Sequence, residues 1–485
     1  MTDTITITKV DEVYNKITCE PGIAYELNEY FTFEVPGAKF MPAVRNKFWD
    51  GKIRLYNVMS GYLYAGLNDK IEEFAKSRNY EIEYASDFSD AEFSLKEANE
   101  FIDSLNIPDK FERRDYQIKA FAHAIRKNRA LLLSPTASGK SLIIYLLVRY
   151  YAKRTLIIVP TTSLVSQLAS DFTDYGFISD TFVHRIYSGQ DKQTDKPIVI
   201  STWQSLYKMP KEYFEQFDVV IGDEAHLFKA KSLTSIMSKL TGCKYRFGFT
   251  GTLDGAETHE LVLRGLFGNV EKIIKTSELI EQKHLSDLKI KIIVLKYSDE
   301  TKNKIKGADY QDEMDFIVRN DARNRFINNL ALSLNGNTLL LFQYVEKHGK
   351  VLYDMVKDAA GDRHVFFVHG GVDGDDRENI RALVEKETDC IIVASFGTFS
   401  TGINIKNLHN IIFASPYKSR VKNLQSIGRV LRTSDSKDIA TLYDIADDLT
   451  WKKNQNTTLK HFGERIKIYI EEKFKYKTYT VKLED

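Results

Sequence analysis

Ala130-Leu-Leu-Leu-Ser134-Pro-Thr136-Ala137-Ser138-Gly139-Lys140-Ser141-Leu-Ile-Ile-Tyr145 is the stretch on which the fold turns. An apolar run, Ala130–Leu133, predicts a buried strand. A polar loop follows, and the apolar residues from Leu142 to Tyr151 predict a helix. Strand, loop and helix in that order form a phosphate cradle. Backbone N–H groups at the helix N-terminus point at an anion, and the helix dipole favours it. Thr136, Ala137, Ser138 and Gly139 supply the cradle. Lys140 is placed to neutralise the β- and γ-phosphates of a nucleotide, and Ser141 to offer its hydroxyl to Mg²⁺. The loop opens on Ser134 where the general pattern has glycine.

Downstream, Val219-Val-Ile-Gly-Asp223-Glu224-Ala225-His226 ends an apolar strand in two adjacent carboxylates. On a second strand of the same sheet, Asp223 would hold Mg²⁺ through its water shell and Glu224 would orient or deprotonate the attacking water. Further on, Gln425-Ser-Ile-Gly428-Arg429-Val-Leu-Arg432 places an amide and two guanidiniums on one helix face, at spacings of four and three. Such a face suits the γ-phosphate of a nucleotide held elsewhere. Residues 391–434 contain six basic residues and no acidic one, so this helix lacks the counter-charges of a solvated face.

Around these motifs the chain reads as an α/β protein. Short apolar runs alternate with helical stretches twice. The first set is Ala130–Leu133, Thr155–Val159, Ile198–Ser201, Val219–Ile221 and Phe247–Thr250. The second is Thr338–Phe342, Val365–Val368, Ile391–Ala394 and Ile411–Ala414. This pattern predicts two parallel-sheet lobes covered on both faces. The expected divisions are a small α+β module over 1–84, an acidic linker or connecting helix over 85–107, lobes over 108–280 and 281–450, and a basic tail over 451–485. In the first module, strands are expected at Thr4–Val10, Phe31–Val35 and Lys52–Tyr56, with a helix at Asn68–Ser77 capped by Asn68. The tail is expected as a helix around His461–Phe474 and then an extended end.

Composition narrows the classes. With 485 residues, 43% hydrophobic and 28% charged, the chain has apolar material for more than one core, which excludes extensive disorder. The net charge of +1 leaves any nucleic-acid preference to local patches. Cys19, Cys243 and Cys390 lie too far apart for a disulfide framework or a cluster site, and suit a reducing cytoplasm. Met1–Val10 has no secretory pattern, and no run approaches the roughly 18 apolar residues of a membrane span.

Taken in order, these motifs resemble those of superfamily 2 helicases and translocases of the DEAH type. Arg114-Asp-Tyr-Gln117 resembles the Q motif, which implies that Gln117 reads the adenine edge. Pro160-Thr161-Thr162 resembles motif Ia, Ser201-Thr202-Trp203-Gln204 the next strand-contacting motif, and Thr250-Gly251-Thr252 motif III. His369-Gly370 and Val393-Ala-Ser395 to Thr401-Gly402-Ile-Asn404 resemble motifs IVa and V. Asn404 stands where motif V commonly carries Asp. The resemblance implies two tandem RecA-like lobes and ATP hydrolysis with Mg²⁺. It also implies nucleic-acid contacts from Thr161, Thr162, Thr202, Trp203, His369, Gly370, Ser395 and Thr401, and a link between the lobes at His226.

Asn46-Lys-Phe-Trp49-Asp-Gly-Lys52-Ile-Arg54-Leu55 is similar to the N-terminal segment of the UvsW helicases of T4-like phages, and Phe399-Ser-Thr-Gly402 and Lys406-Asn-Leu-His409 agree with that group. This resemblance implies remodelling of branched or forked DNA: fork regression, Holliday-junction migration, and unwinding of D-loops and R-loops. The implied partners are DNA, RNA–DNA hybrids and a phage single-strand-binding protein. A monomer suffices, and the setting is the bacterial host cytoplasm. An RNA helicase of the same superfamily, or a junction-binding and strand-annealing protein with ATP as a switch, are the rival readings. Between Gly37 and Tyr56, five basic residues face the single Asp50, interleaved with Phe40, Phe48, Trp49 and Tyr56. Lys47, Lys52 and Arg54 are candidate DNA contacts. Phe48 and Trp49 read either as a stacking surface or as the core of a small β module. The tail's nine basic residues read as a further duplex contact or a solvated helix.

Overall fold

The computed structural model describes residues 3–187, 189–372, 374–402, 405, 407–431 and 439–483, without the side chains of 229, 258, 374, 375, 378, 400–402, 421 and 422. Arg432, Asn404 and Lys406 lie outside the described residues, as does the side chain of Thr401. The chain divides into two compact units, 1–134 with 138–273, and 135–137 with 274–485.

The first unit carries a seven-stranded sheet in the order Val270–Lys272, Arg129–Leu133, Tyr245–Thr250, Val219–Asp223, Thr155–Val159, Ile198–Thr202, Val183–Ile186. Every pairing in it is parallel. Its central strands are predominantly apolar because both faces are buried, and the buried Arg246 of Tyr245–Thr250 is satisfied by the Leu266, Leu240 and Met237 carbonyls. Ala130, Leu132, Ile157 and Ile221 face one core with the helix Lys140–Tyr151. Leu131, Leu156, Ile158 and Val220 face another, and that second core runs on without a break into Ile5, Leu27, Leu63 and Phe74 of the N-terminal module.

The module itself is α+β. Its four-stranded sheet runs Tyr62–Tyr64, Tyr14–Thr18, Thr4–Lys9, Glu81–Tyr84, and a separate pair joins Thr32–Glu34 to Lys52–Arg54. The helix Asn68–Arg78 forms as expected, but its cap is not Asn68. Leu67 holds the cap position, and the Asn68 Oδ1 accepts from the buried Asn15 Nδ2 at 2.7 Å. A buried amide needs a partner more than a solvated helix end does. The strand Glu81–Tyr84, parallel to Thr4–Lys9, leads into the expected acidic linker. It continues into the helix Leu95–Ser104, opened by a Ser94–Glu97 capping box and packed through Ala98 and Ile102.

The second unit has another all-parallel sheet, in the order Val365–Val368, Ile391–Ser395, Thr338–Phe342, Asn410–Phe413, Ile439–Asp448, Asp287–Lys296, Tyr476–Lys482. The fold class is thus the expected one: two parallel-sheet lobes after a small α+β module. The tail is more integrated than its composition suggests. Its helix, Thr457–Glu471, buries Arg465 against Asp444, and its extended end is the edge strand of this sheet. Among the described residues, no helix is long and apolar enough to cross a membrane.

Candidate functional site

All strands of a parallel sheet end on the same side, and ligands collect at that edge. In the first unit this brings together Ser134 after Arg129–Leu133, Thr161 after Thr155–Val159, Thr202 at the end of Ile198–Thr202, Asp223 at the end of Val219–Asp223, and Thr250 at the end of Tyr245–Thr250.

The phosphate loop is shaped by backbone conformation. Ala137 (φ 66°) and Gly139 (φ 77°) are both left-handed. A Cβ on Gly139 would lie 2.1 Å from the Gln117 Nε2, so glycine is required twice over. Gln117 is only 3% exposed. Its Nε2 donates to the Ser138 carbonyl at 2.9 Å, and its Oε1 accepts from the Arg114 N–H at 3.0 Å. The Tyr116 hydroxyl donates to the same Ser138 carbonyl at 3.1 Å. The segment 114–117 therefore braces the loop from behind. Ser134 fits where glycine is usual because its buried hydroxyl meets the Ser138 Oγ at 2.5 Å.

Lys140 is the electrostatic centre. Its Nζ lies 2.5 Å from Asp223 Oδ1 and 3.4 Å from Glu224 Oε1. Burial alone would depress its pKa, but the two carboxylates outweigh burial and hold the ammonium above its ordinary value. On Asp223, burial and the neighbouring Glu224 act upward, and the Lys140 contact opposes them. The two shifts point in opposite senses for ionisation. The 2.5 Å contact favours the doubly charged pair. Such an arrangement holds the lysine poised for a more strongly charged partner, as a triphosphate would be.

Glu224 follows in a left-handed conformation (φ 50°), a strained one for glutamate, and its N–H donates to Asp223 Oδ1 at 2.8 Å. The described contacts of His226 lie within the first unit, so its expected link between the lobes is not among them. Its Nδ1 lies 3.0 Å from the Thr250 Oγ1, which donates in turn to the Thr252 carbonyl at 3.0 Å. The acidic motif and the Thr250-Gly-Thr252 motif are thereby joined inside one sheet.

Ser141 shares a 2.8 Å hydrogen bond with the Tyr175 hydroxyl, whose pKa is pushed up to about 12 by burial. Tyr175 carries no sequence signal: it ends the next helix, 34 residues on, and only packing brings it here. For a divalent cation the fit is partial by design. Ser141 and Asp223 are oxygen donors suited to Mg²⁺. No group of three or more His, Cys, Asp or Glu residues able to hold a metal exists among the described residues, so phosphate and water oxygens would complete the shell.

The expected strand-contacting residues differ in accessibility. Thr161 and Thr162 stand at the start of the helix Thr162–Asp174, with Thr162 exposed. Thr202 is buried, and its hydroxyl lies 3.1 Å from the Ser205 Oγ, while Trp203 packs against the core and edge-on to Tyr207. In the second unit, Ser395 is buried and its hydroxyl donates to Thr398 Oγ1 at 2.8 Å. The His369 Nδ1 accepts from the Gly371 N–H at 3.1 Å, and Gly370 is exposed. Gln425 and Arg429 lie on the helix Arg420–Val430, with the Arg429 guanidinium 5.8 Å from the Phe399 ring centre. In the N-terminal module Lys47 is exposed, Lys52 half-buried, and Arg54 ion-paired with Asp50 at 2.5 Å. Of the two aromatic alternatives there, Phe48 is not core: it is 85% exposed. Trp49 is half-buried, and its indole N–H donates to the Lys52 carbonyl at 2.9 Å.

Comparison with known proteins agrees with this geometry. Three family models match: "DNA helicase UvsW, N-terminal" over residues 4–85, "Type III restriction enzyme, res subunit" over 110–255, and "Helicase conserved C-terminal domain" over 321–434. The ATP-dependent DNA helicase uvsW of Enterobacteria phage T4 is 38% identical over 96% of this chain and 97% of its own. The DNA 3'-5' translocase XPB2 of Sulfurisphaera tokodaii is 25% identical over 69% of this chain and 83% of its own. The crystal structure of T4 UvsW superposes with a TM-score of 0.52 at 37% identity, covering 99% of this chain and 100% of that one. With an end-to-end relative at this identity, and a parallel-sheet loop that places Lys140 between two carboxylates, the chain belongs to the UvsW family of superfamily 2 ATP-dependent DNA helicases.

Proposed function

We propose that this helicase uses ATP to remodel branched DNA, regressing forks, migrating Holliday junctions and unwinding D-loops and R-loops. The observation that carries the ATP site is Lys140 poised between Asp223 and Glu224 at the carboxyl edge of a parallel sheet. The triphosphate would draw Lys140 away from these carboxylates. Asp223, with Ser141, would then be free to hold Mg²⁺, which would supply charge neutralisation on the phosphate oxygens. Glu224 then orients or deprotonates the attacking water. Gln425, Arg429 and Arg432 are proposed to stabilise charge developing on the γ-phosphate. Gln117 is proposed to read an adenine edge with the amide hydrogen-bonding capacity that its contacts to Ser138 and Arg114 leave over.

The Thr161, Thr162, Thr202, Trp203, His369, Gly370, Ser395 and Thr401 positions are proposed strand contacts, with Lys47, Lys52 and Arg54 adding phosphate contacts from the module. Contacts of this kind carry no sequence information, so binding is largely sequence-independent and salt-sensitive. RNA–DNA hybrids, a phage single-strand-binding protein, action as a monomer and a bacterial host cytoplasm complete the proposal, with the domain divisions set out above.

The test is ATP-dependent unwinding across tailed linear duplex, fork, four-way junction and RNA–DNA hybrid loop. The expected result is preference for forks and junctions. Activity confined to tailed RNA duplexes would overturn the branched-DNA reading. Lys140→Ala is expected to abolish ATP hydrolysis while retaining DNA binding. Continued hydrolysis in that variant would overturn the site.

A further inference from the structure

Phe48 and Phe40 are 85% and 73% exposed, although aromatic side chains usually go inside. Both sit on residues 35–51, the excursion between the paired strands Thr32–Glu34 and Lys52–Arg54. This loop is built rather than loose. The Val35 N–H donates to the Gly51 carbonyl at 2.8 Å, closing its base. Two short helical turns, Ala38–Phe40 and Pro42–Arg45, form its body. The Phe48 and Trp49 N–H groups donate to the Ala43 carbonyl at 2.9 and 3.1 Å, and the Trp49 indole ties the return to Lys52. Lys47 takes a left-handed conformation (φ 59°) immediately before Phe48. Backbone and indole bonds thus fix the segment that holds the exposed ring in water.

The surroundings say what covers it. Residues 35–49 include Lys39, Arg45 and Lys47, all exposed, and no acidic residue. Asp50, the nearest following acid, is bound by Arg54 and by the Lys52 N–H. Exposed π-faces among unopposed cations match a ligand with flat apolar faces and a polyanionic backbone. We propose that this loop is the branch-reading element of the helicase: Phe48 stacks on the base exposed where strands part, Phe40 adds a second apolar face, and Lys39, Arg45 and Lys47 hold the flanking phosphates. The proposal rests on the DNA-helicase reading and deepens it, assigning branch recognition to an aromatic wedge rather than to charge alone. Stacking is indifferent to base identity, so the preference is for structure, not sequence.

The test uses the full chain without nucleotide, at one fixed salt concentration. Its probes are a fork carrying 2-aminopurine at the branch and a linear duplex of equal length. Phe48→Ala is expected to lower fork affinity about tenfold more than linear affinity, and to remove the fluorescence change at the branch. Phe48→Trp is expected to restore both. An unchanged ratio of fork to linear affinity in Phe48→Ala overturns the wedge. So does a wild-type dimer that Phe48→Ala dissociates while fork preference persists, since the rings would then serve a second copy of this chain. DNA-stimulated ATP hydrolysis by the wild type is measured alongside. Its absence would overturn the helicase reading itself, whereas its presence with unaltered fork preference in Phe48→Ala overturns the wedge alone.

Discussion

Gly139 shows how much chemistry one residue position can carry. Its left-handed backbone turns the chain into the phosphate loop, and its missing side chain leaves room for Gln117. Gly139→Ala meets both a conformational cost of about 1–2 kcal/mol and a clash with the amide that braces Ser138. We expect kcat/KM for ATP hydrolysis to fall at least about tenfold, with DNA binding in the absence of nucleotide unchanged. Steady-state rates measure this, and wild-type kinetics in the variant would show that the loop is not held by Gln117. The same scale explains Ser134. Its hydroxyl pairs with that of Ser138, so the departure from glycine at the loop's first position leaves the buried Ser134 oxygen with a partner.

Among the elements, the strand Ile439–Asp448 does the most unexpected work. Asp444 and Asp447 are three apart and so point to opposite faces of the sheet. Each is fully buried in a bidentate pair. Arg323, from the helix Asp321–Ser333, meets Asp447 at 2.7 and 3.0 Å, with the Tyr297 hydroxyl donating to the same carboxylate at 2.7 Å. Arg465, from the helix Thr457–Glu471, meets Asp444 at 3.0 and 2.9 Å, joined by the Tyr469 hydroxyl at 2.7 Å. One strand therefore pins a helix on each face. Removing one partner leaves a buried charge unpaired, which costs about 3–5 kcal/mol. Asp447→Ala is expected to lose stability of that order, read as a shift in the midpoint of urea unfolding. A midpoint within experimental error of wild type would show that the pair contributes nothing net.

For the whole molecule, charge is nearly balanced, so its placement decides what is bound. The N-terminal module is joined to the first lobe by a continuous core and by close backbone approach. A Cβ on Gly66 would lie 2.1 Å from the Arg264 carbonyl oxygen, Arg264 pairs with Asp69, and the Glu12 N–H donates to the Thr241 carbonyl at 3.0 Å. Cations on the module are therefore carried rigidly with the lobe that holds Lys140. Reversing Lys47 and Lys52 to Glu is expected to weaken fork binding and to flatten its salt dependence by about 0.9 in log–log slope for each phosphate no longer neutralised. ATP affinity is expected to stay within about twofold. Titrations of fork binding at several salt concentrations decide it. An unchanged slope would remove these two lysines from the phosphate contacts.

The motifs with local signatures are legible in the sequence alone. The loop at Lys140, the carboxylates at Asp223 and Glu224, and the central strands of both lobes announce themselves because a parallel strand buried on both faces is predominantly apolar and a phosphate loop must carry particular residues at fixed spacing. What tertiary structure alone decided are contacts between residues distant in sequence. Tyr175 on Ser141, Gln117 against Gly139, and the burial of Arg323 and Arg465 have no local pattern. In sequence, those two arginines are indistinguishable from surface charges, and Arg465 reads as one more basic residue of the tail. Phe48 is the reverse case: a residue whose type predicts burial is held in water by a loop whose backbone bonds, not its composition, set the geometry. Periodicity reports which face of an element is apolar. Which face then finds a partner is settled by the packing of the whole chain.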